Sequence, residues 1–225
     1  MRRCIRTAVA AMLCTVCVPC GYGAHAEGAW SAAHVRSDND LVLDVLQYGV
    51  ARSESFRELI AALELLDSVV YVEEGTCRHR ELRACTQVMA TPGGRNLLIR
   101  FNPRQPIPFA VAQLAHELYH AHEVAREPQV VDSASLQDLY RRIGDRGCAS
   151  QSDNCWETRA AMAFEALVAR ELSRGRALSD AMMRSIGAFA RTGDPNNASL
   201  GVTWPVWPAT LVFDATPTAK AISVR

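Results

Sequence analysis

Residues 116–120 read His-Glu-Leu-Tyr-His, and their neighbours Gln113, Leu114, Ala115 and Ala121 are all uncharged. On an α-helix, positions i and i+4 stack on one face, so His116 and His120 can reach a single metal ion while Glu117 points toward the same space. A fold that carries this run must bury an apolar helix and still open its polar side chains to a cleft. Pro108 suits a first helical turn and Pro128 stops a helix, so a helix is predicted from Pro108 to about Arg126, with the motif near its middle.

A catalytic zinc ion needs three protein ligands and one open position, where it lowers the pKa of a water and polarises a carbonyl. His116 and His120 supply two ligands, and Glu117 is placed as the general base. Glu157 is the expected third, because the run Trp156-Glu157-Thr158-Arg159-Ala160-Ala161 opens a late helix whose alanines permit close approach to the motif helix. Two other readings stay open. Glu165, two turns on, is either the ligand itself or an acceptor that orients a ligating imidazole, and Asn154 with Glu157 also fits an N-cap and its partner carboxylate. His122 lies about 200° round the helix from the two ligands and is expected to stay outside the site. His79, between two arginines, reads as a solvated loop residue. Tyr71, Tyr119 and Tyr140 are candidates for a phenol donating to an oxyanion, although an amphipathic core role suits a tyrosine equally.

Arg2, Arg3 and Arg6 precede an apolar run from about Thr7 to Pro19 and then Ala24-His25-Ala26, the pattern of an export signal cleaved after Ala26. The apolar run is too short for a spanning helix and no second candidate span follows, so no stable membrane span is expected after cleavage. Lipidation at Cys20 is the alternative to plain release, and a secreted or periplasmic location is expected. Loss of residues 1–26 leaves 21 basic against 24 acidic residues, a balance that implies no nucleic-acid partner. Four cysteines depart with the signal. Cys77, Cys85, Cys148 and Cys155 remain, and in an exported chain the simplest pairing is Cys77–Cys85 with Cys148–Cys155. A four-cysteine zinc site would need C-x-x-C-like spacing, which is missing.

Leu41, Val42, Val45 and Leu46 have helical spacing. Ser55-Phe56-Arg57-Glu58 is a capping-box pattern ahead of a second helix carrying Leu59, Ile60, Leu63 and Leu66. Residues 69–72, 84–90 and 96–101 read as strands, with Pro92-Gly93-Gly94 as a turn. After the motif, Ser133 or Ser135 caps a helix ended by Gly144. A helix from Trp156 to about Arg174 is expected to close at Gly175, and another to run from about Ser179 to Ala190. The tail from about residue 192 reads as extended or irregular and as the least ordered part of the mature chain.

At His116–His120 the chain resembles the zincin superfamily of H-E-x-x-H metallopeptidases, and Glu157 resembles the glutamate ligand of one branch of it, over about residues 95–175. The third histidine and glycine of the metzincin extension are absent, Val124 and Ala125 standing in that stretch. The resemblance implies zinc-dependent hydrolysis of peptide bonds in a peptide or protein substrate. Residues 179–214, with Phe189-Ala190-Arg191-Thr192-Gly193-Asp194-Pro195-Asn196, Trp204-Pro205 and Trp207-Pro208, resemble the carboxy-terminal end of type B carboxylesterases. Esterase activity does not follow, because no G-x-S-x-G elbow is present and no histidine occurs after His122. The expectation is an α+β, mostly helical zincin-like domain over 27–177, with a small sheet ahead of the motif helix and an esterase-like tail over 178–225.

Overall fold

A computed structural model describes residues 30–77, 82–92, 94–146, 156–206, 209–215 and 220–224. The expected export signal, His79 and the expected Cys148–Cys155 pairing lie outside the described residues. Residues Ala32–Arg225 form one compact unit. It is α+β: helices with a small mixed sheet. Among the described residues no helix is long and apolar enough to cross a membrane.

Two helices open the unit, α1 (Asp40–Arg52) and α2 (Glu54–Leu63). Val42, Val45 and Leu46 of α1 and Phe56, Leu59, Ile60 and Leu63 of α2 are buried, as the spacing predicts, whereas Leu41 is exposed. Gly49 lets the helices close, since a Cβ there would lie 2.8 Å from the Phe56 ring. The cap of α2 is Ser53 rather than Ser55. Its hydroxyl accepts from the Phe56 N–H and donates to Glu171 at 2.5 Å, and the same carboxylate takes the Ser55 N–H and hydroxyl. Glu171 thus sits at the positive end of α2, which decides where the helix starts.

The sheet order is β1 (Val35–Arg36), β2 (Val69–Glu74), β4 (Gly94–Phe101), β3 (Ala84–Thr91). β1, β2 and β4 run parallel, while β3 runs antiparallel to β4 and forms an edge. Cys77 and Cys85 are disulfide-bonded, tying the exit of β2 to the first residues of β3.

Helix α3 (Ile107–Ala125) follows with proline in its first turn, and α4 (Ser133–Ile143) is capped by Asp132, with Ser135 answering as its capping-box partner. Arg95 of β4 donates to the carbonyls of Ala125, at 3.1 Å, Glu127, at 2.6 Å, and Val130, and so satisfies the open end of α3 from the sheet.

Two short strands, β5 (Asp145–Arg146) and β6 (Trp156–Glu157), pair antiparallel ahead of α5 (Arg159–Thr192). Helix α5 corrects two expectations. It begins after Glu157, because Thr158 in extended conformation caps it, accepting from the Ala161 N–H, and the ladder with β5 holds residues 156–157 extended. It also runs unbroken through Gly175 for 34 residues, past the expected boundary at 177/178. An interior glycine costs a helix about 1 kcal/mol, and the flanking Leu172, Arg174, Arg176, Ala177 and Leu178 favour its continuation. The helix stops at Gly193, whose φ of 74° is the left-handed turn that glycine adopts freely. Part of the tail expected to be irregular is a hairpin of β7 (Leu211–Ala215) and β8 (Lys220–Val224).

Candidate metal centre

Helix α3 is buried on nearly every side, because α5 packs along it and the sheet and first helices cover the rest. Leu114 and Leu118 are fully buried, and His116, Glu117 and His120 are 8 %, 7 % and 5 % exposed. An apolar helix with three buried polar side chains is stable only where those side chains have partners. They have them. Nε2 of His116 lies 3.1 Å from Nε2 of His120, and Glu157 Oε2 lies 2.8 Å from the first and 3.4 Å from the second. His116, His120 and Glu157 form a buried group that could hold a metal ion.

The placement of Glu157 differs from the helical one expected from sequence. β6 presents the carboxylate from an extended segment, and the pairing of Glu157 with Asp145 sets its height above α3. Glu165 does not join the three converging atoms. It receives the outer nitrogen of His116, Nδ1, at 3.0 Å. That contact has the geometry of the second of the two roles open to it in the sequence.

Burial disfavours an imidazolium at His116, but Glu157 and Glu165 more than offset this and push its pKa up to about 10. His120 is likewise pushed up to about 9 by Glu123 and Glu157 against its burial. Glu157 is itself lowered to about 2, the two imidazoles outweighing the penalty of its own burial. The facing nitrogens lie 3.1 Å apart with the Glu157 carboxylate against both. A divalent cation bound there would displace any proton from those nitrogens.

Glu117 is buried beside this group and takes the Thr86 hydroxyl at 2.9 Å on Oε2. Burial raises its pKa, while His120, His116 and Thr86 pull it the other way. A cleft of about 180 Å³ opens over Glu117, His120 and Glu157, walled by Ala84 and Thr86 of β3, Leu136 and Tyr140 of α4, and Trp156. The edge strand therefore forms one bank of the cleft. Tyr140 stands edge-on to the His120 ring, centroids 5.3 Å apart, and its buried hydroxyl has no hydrogen-bond partner among the described residues.

Of the other sequence candidates, Tyr119 packs on Phe164 and His122, and Tyr71 lies on β2 away from the cleft lining. His122 is outside the converging group. Three contributors escaped sequence reasoning. Glu123 receives His120 Nδ1 at 2.9 Å, Thr158 donates to Glu123 at 2.8 Å, and Thr86 holds Glu117. Only Glu123 left a signal, a carboxylate three residues after His120 on the same helix.

Comparison with protein-family models, curated proteins and solved structures returned no match.

Proposed function

We propose that the protein is an exported zinc-dependent metallopeptidase of zincin type, with His116, His120 and Glu157 as ligands and Glu117 as general base. The observation that carries this reading is the convergence of two imidazole nitrogens and one carboxylate oxygen, mutually 2.8, 3.1 and 3.4 Å apart, beside a buried glutamate at the floor of a cleft. Zinc sits about 2.0–2.1 Å from such donors in a tetrahedron, which sets neighbouring ligand atoms about 3.3 Å apart. The donors fit that spacing with small adjustment. Two imidazoles and a carboxylate also suit zinc better than magnesium or calcium, which prefer oxygen throughout.

When bound, zinc would polarise the scissile carbonyl and acidify a water in the fourth position. The rest of the chemistry falls to the chain. Glu117, raised by burial and held through one oxygen by Thr86, takes the proton of the attacking water on its carboxylate and passes it to the leaving nitrogen. Tyr140 is the phenol beside the ligands with a hydroxyl to give, and it supplies a hydrogen bond to the developing oxyanion. β3 offers a sheet edge on which an extended peptide can add as a further strand, its scissile bond over the ligands.

Glu117→Ala separates the parts of this reading. The expected result is zinc retained in full with cleavage of a mixed peptide substrate lost, whereas cleavage at the wild-type rate would overturn the assigned base. Tyr140→Phe is expected to lower kcat on the order of 100-fold with zinc content unchanged, measured by steady-state kinetics on the same peptides.

A further inference from the structure

We infer that Glu123 and Thr158 form one positioning unit that fixes His120 and the Glu157 segment together, so that zinc affinity depends on a hydroxyl that touches no ligand. This inference rests on the zinc reading above and adds a residue pair to it.

The two oxygens of Glu123 have different partners. Oε2 takes Nδ1 of His120 at 2.9 Å, and Oε1 takes the hydroxyl of Thr158 at 2.8 Å. In the metal-bound state the first contact would keep the imidazole proton on Nδ1 and leave the Nε2 lone pair, which faces His116 and Glu157, for the ion. The second reaches across to another element. Thr158 is 2 % exposed, adjoins Glu157 in the chain, and caps α5 by accepting from the Ala161 N–H at 3.1 Å.

A chain of hydrogen bonds therefore runs from the first turn of α5 through Thr158 and Glu123 to His120. It joins two elements that carry ligands: it ends on His120 of α3, and it passes through Thr158, the residue next to Glu157 of β6. Neither ligand can shift along its own element without straining the same carboxylate. Glu165 offers a contrast within the same site. Its side chain is 38 % exposed and, among the described residues, hydrogen-bonds only His116, so it orients one ring and spans to no third group. Glu123, by comparison, is 14 % exposed and held from both sides.

The test is zinc affinity, by competition with a chromophoric chelator, on the full mature chain and on Glu123→Ala, Glu123→Gln, Thr158→Val, Thr158→Ser and Glu165→Ala. The visible spectrum of each cobalt-loaded protein and the melting temperature of each chelated one are recorded alongside. Glu123→Ala and Thr158→Val are expected to weaken zinc by about 10- to 100-fold and to change the cobalt spectrum, with Glu165→Ala affected less. Thr158→Ser should restore both, and Glu123→Gln should fall between. If Glu123→Ala fails to fold, the comparison of Thr158→Val with Thr158→Ser still decides.

A Thr158→Val protein that melts lower when chelated but keeps its zinc affinity and cobalt spectrum would reduce Thr158 to a helix cap and overturn the inference. A wild type that binds no zinc would overturn the underlying reading as well, which keeps the two failures apart.

Discussion

Glu117, the proposed base, can serve only while ionised, and its surroundings pull in opposite directions. Burial raises its pKa, and the nearby imidazoles and the Thr86 hydroxyl lower it. Thr86→Val removes one of the lowering contacts and keeps the shape. The pKa then rises further, so Glu117 ionises only at higher pH, and the acidic limb of the pH dependence of kcat/KM is expected to move upward. An unmoved limb would mean that Thr86 does not tune the base. The proposed ligands obey a second pH rule. His116 and His120, raised to about 10 and 9 without metal, must lose protons before they can coordinate. Apparent zinc affinity is therefore expected to rise with pH through neutrality and to level off only above about pH 10. Calorimetry in buffers of different ionisation enthalpy should record the released protons.

At the level of elements, the motif helix was legible because its apolar spacing, its proline start and its i, i+4 histidines agree with one another. α3 appears within a residue of the predicted span. Glu157 was legible as a residue but not as a conformation. Short ladders such as β5–β6 draw on partners distant in sequence, and neither Trp156 nor Glu157 signals by itself that Asp145 and Arg146 lie opposite. Gly175 misled for another reason: a glycine ends a helix only where its backbone leaves the helical region, as the left-handed Gly193 and the extended Gly144 do, and Gly175 stays helical. Thr86 left no trace at all, since only tertiary folding brings the edge strand over Glu117.

The strand that carries Thr86 depends on the neighbouring disulfide. Cys85→Ser opens an eight-residue separation and is expected to cost about 2–3 kcal/mol of stability in denaturant unfolding. It should also slow turnover, by loosening the residues next to Thr86. Leu118→Ala, within α3 and fully buried, is expected to cost about 2–5 kcal/mol in the same measurement.

Across the whole molecule, the sheet, the first helices and α5 serve one arrangement. The sheet supports α3 through Arg95 and offers its edge at β3, α2 and α5 are joined through Glu171, and α5 starts where Glu157 must be held. The interior gives up apolar packing for two buried histidines and a buried glutamate along α3, a cost that is sensible where charge is to be matched by an ion, whereas the other buried carboxylate, Glu171, is matched by Ser53 and Ser55. The most direct measurement is zinc per chain, by elemental analysis of protein purified without chelator, for wild type, His120→Ala and Glu157→Ala. One zinc per wild-type chain and a marked loss in both variants is the predicted result. Wild type free of zinc, or Glu157→Ala holding it as tightly as wild type, would contradict the account.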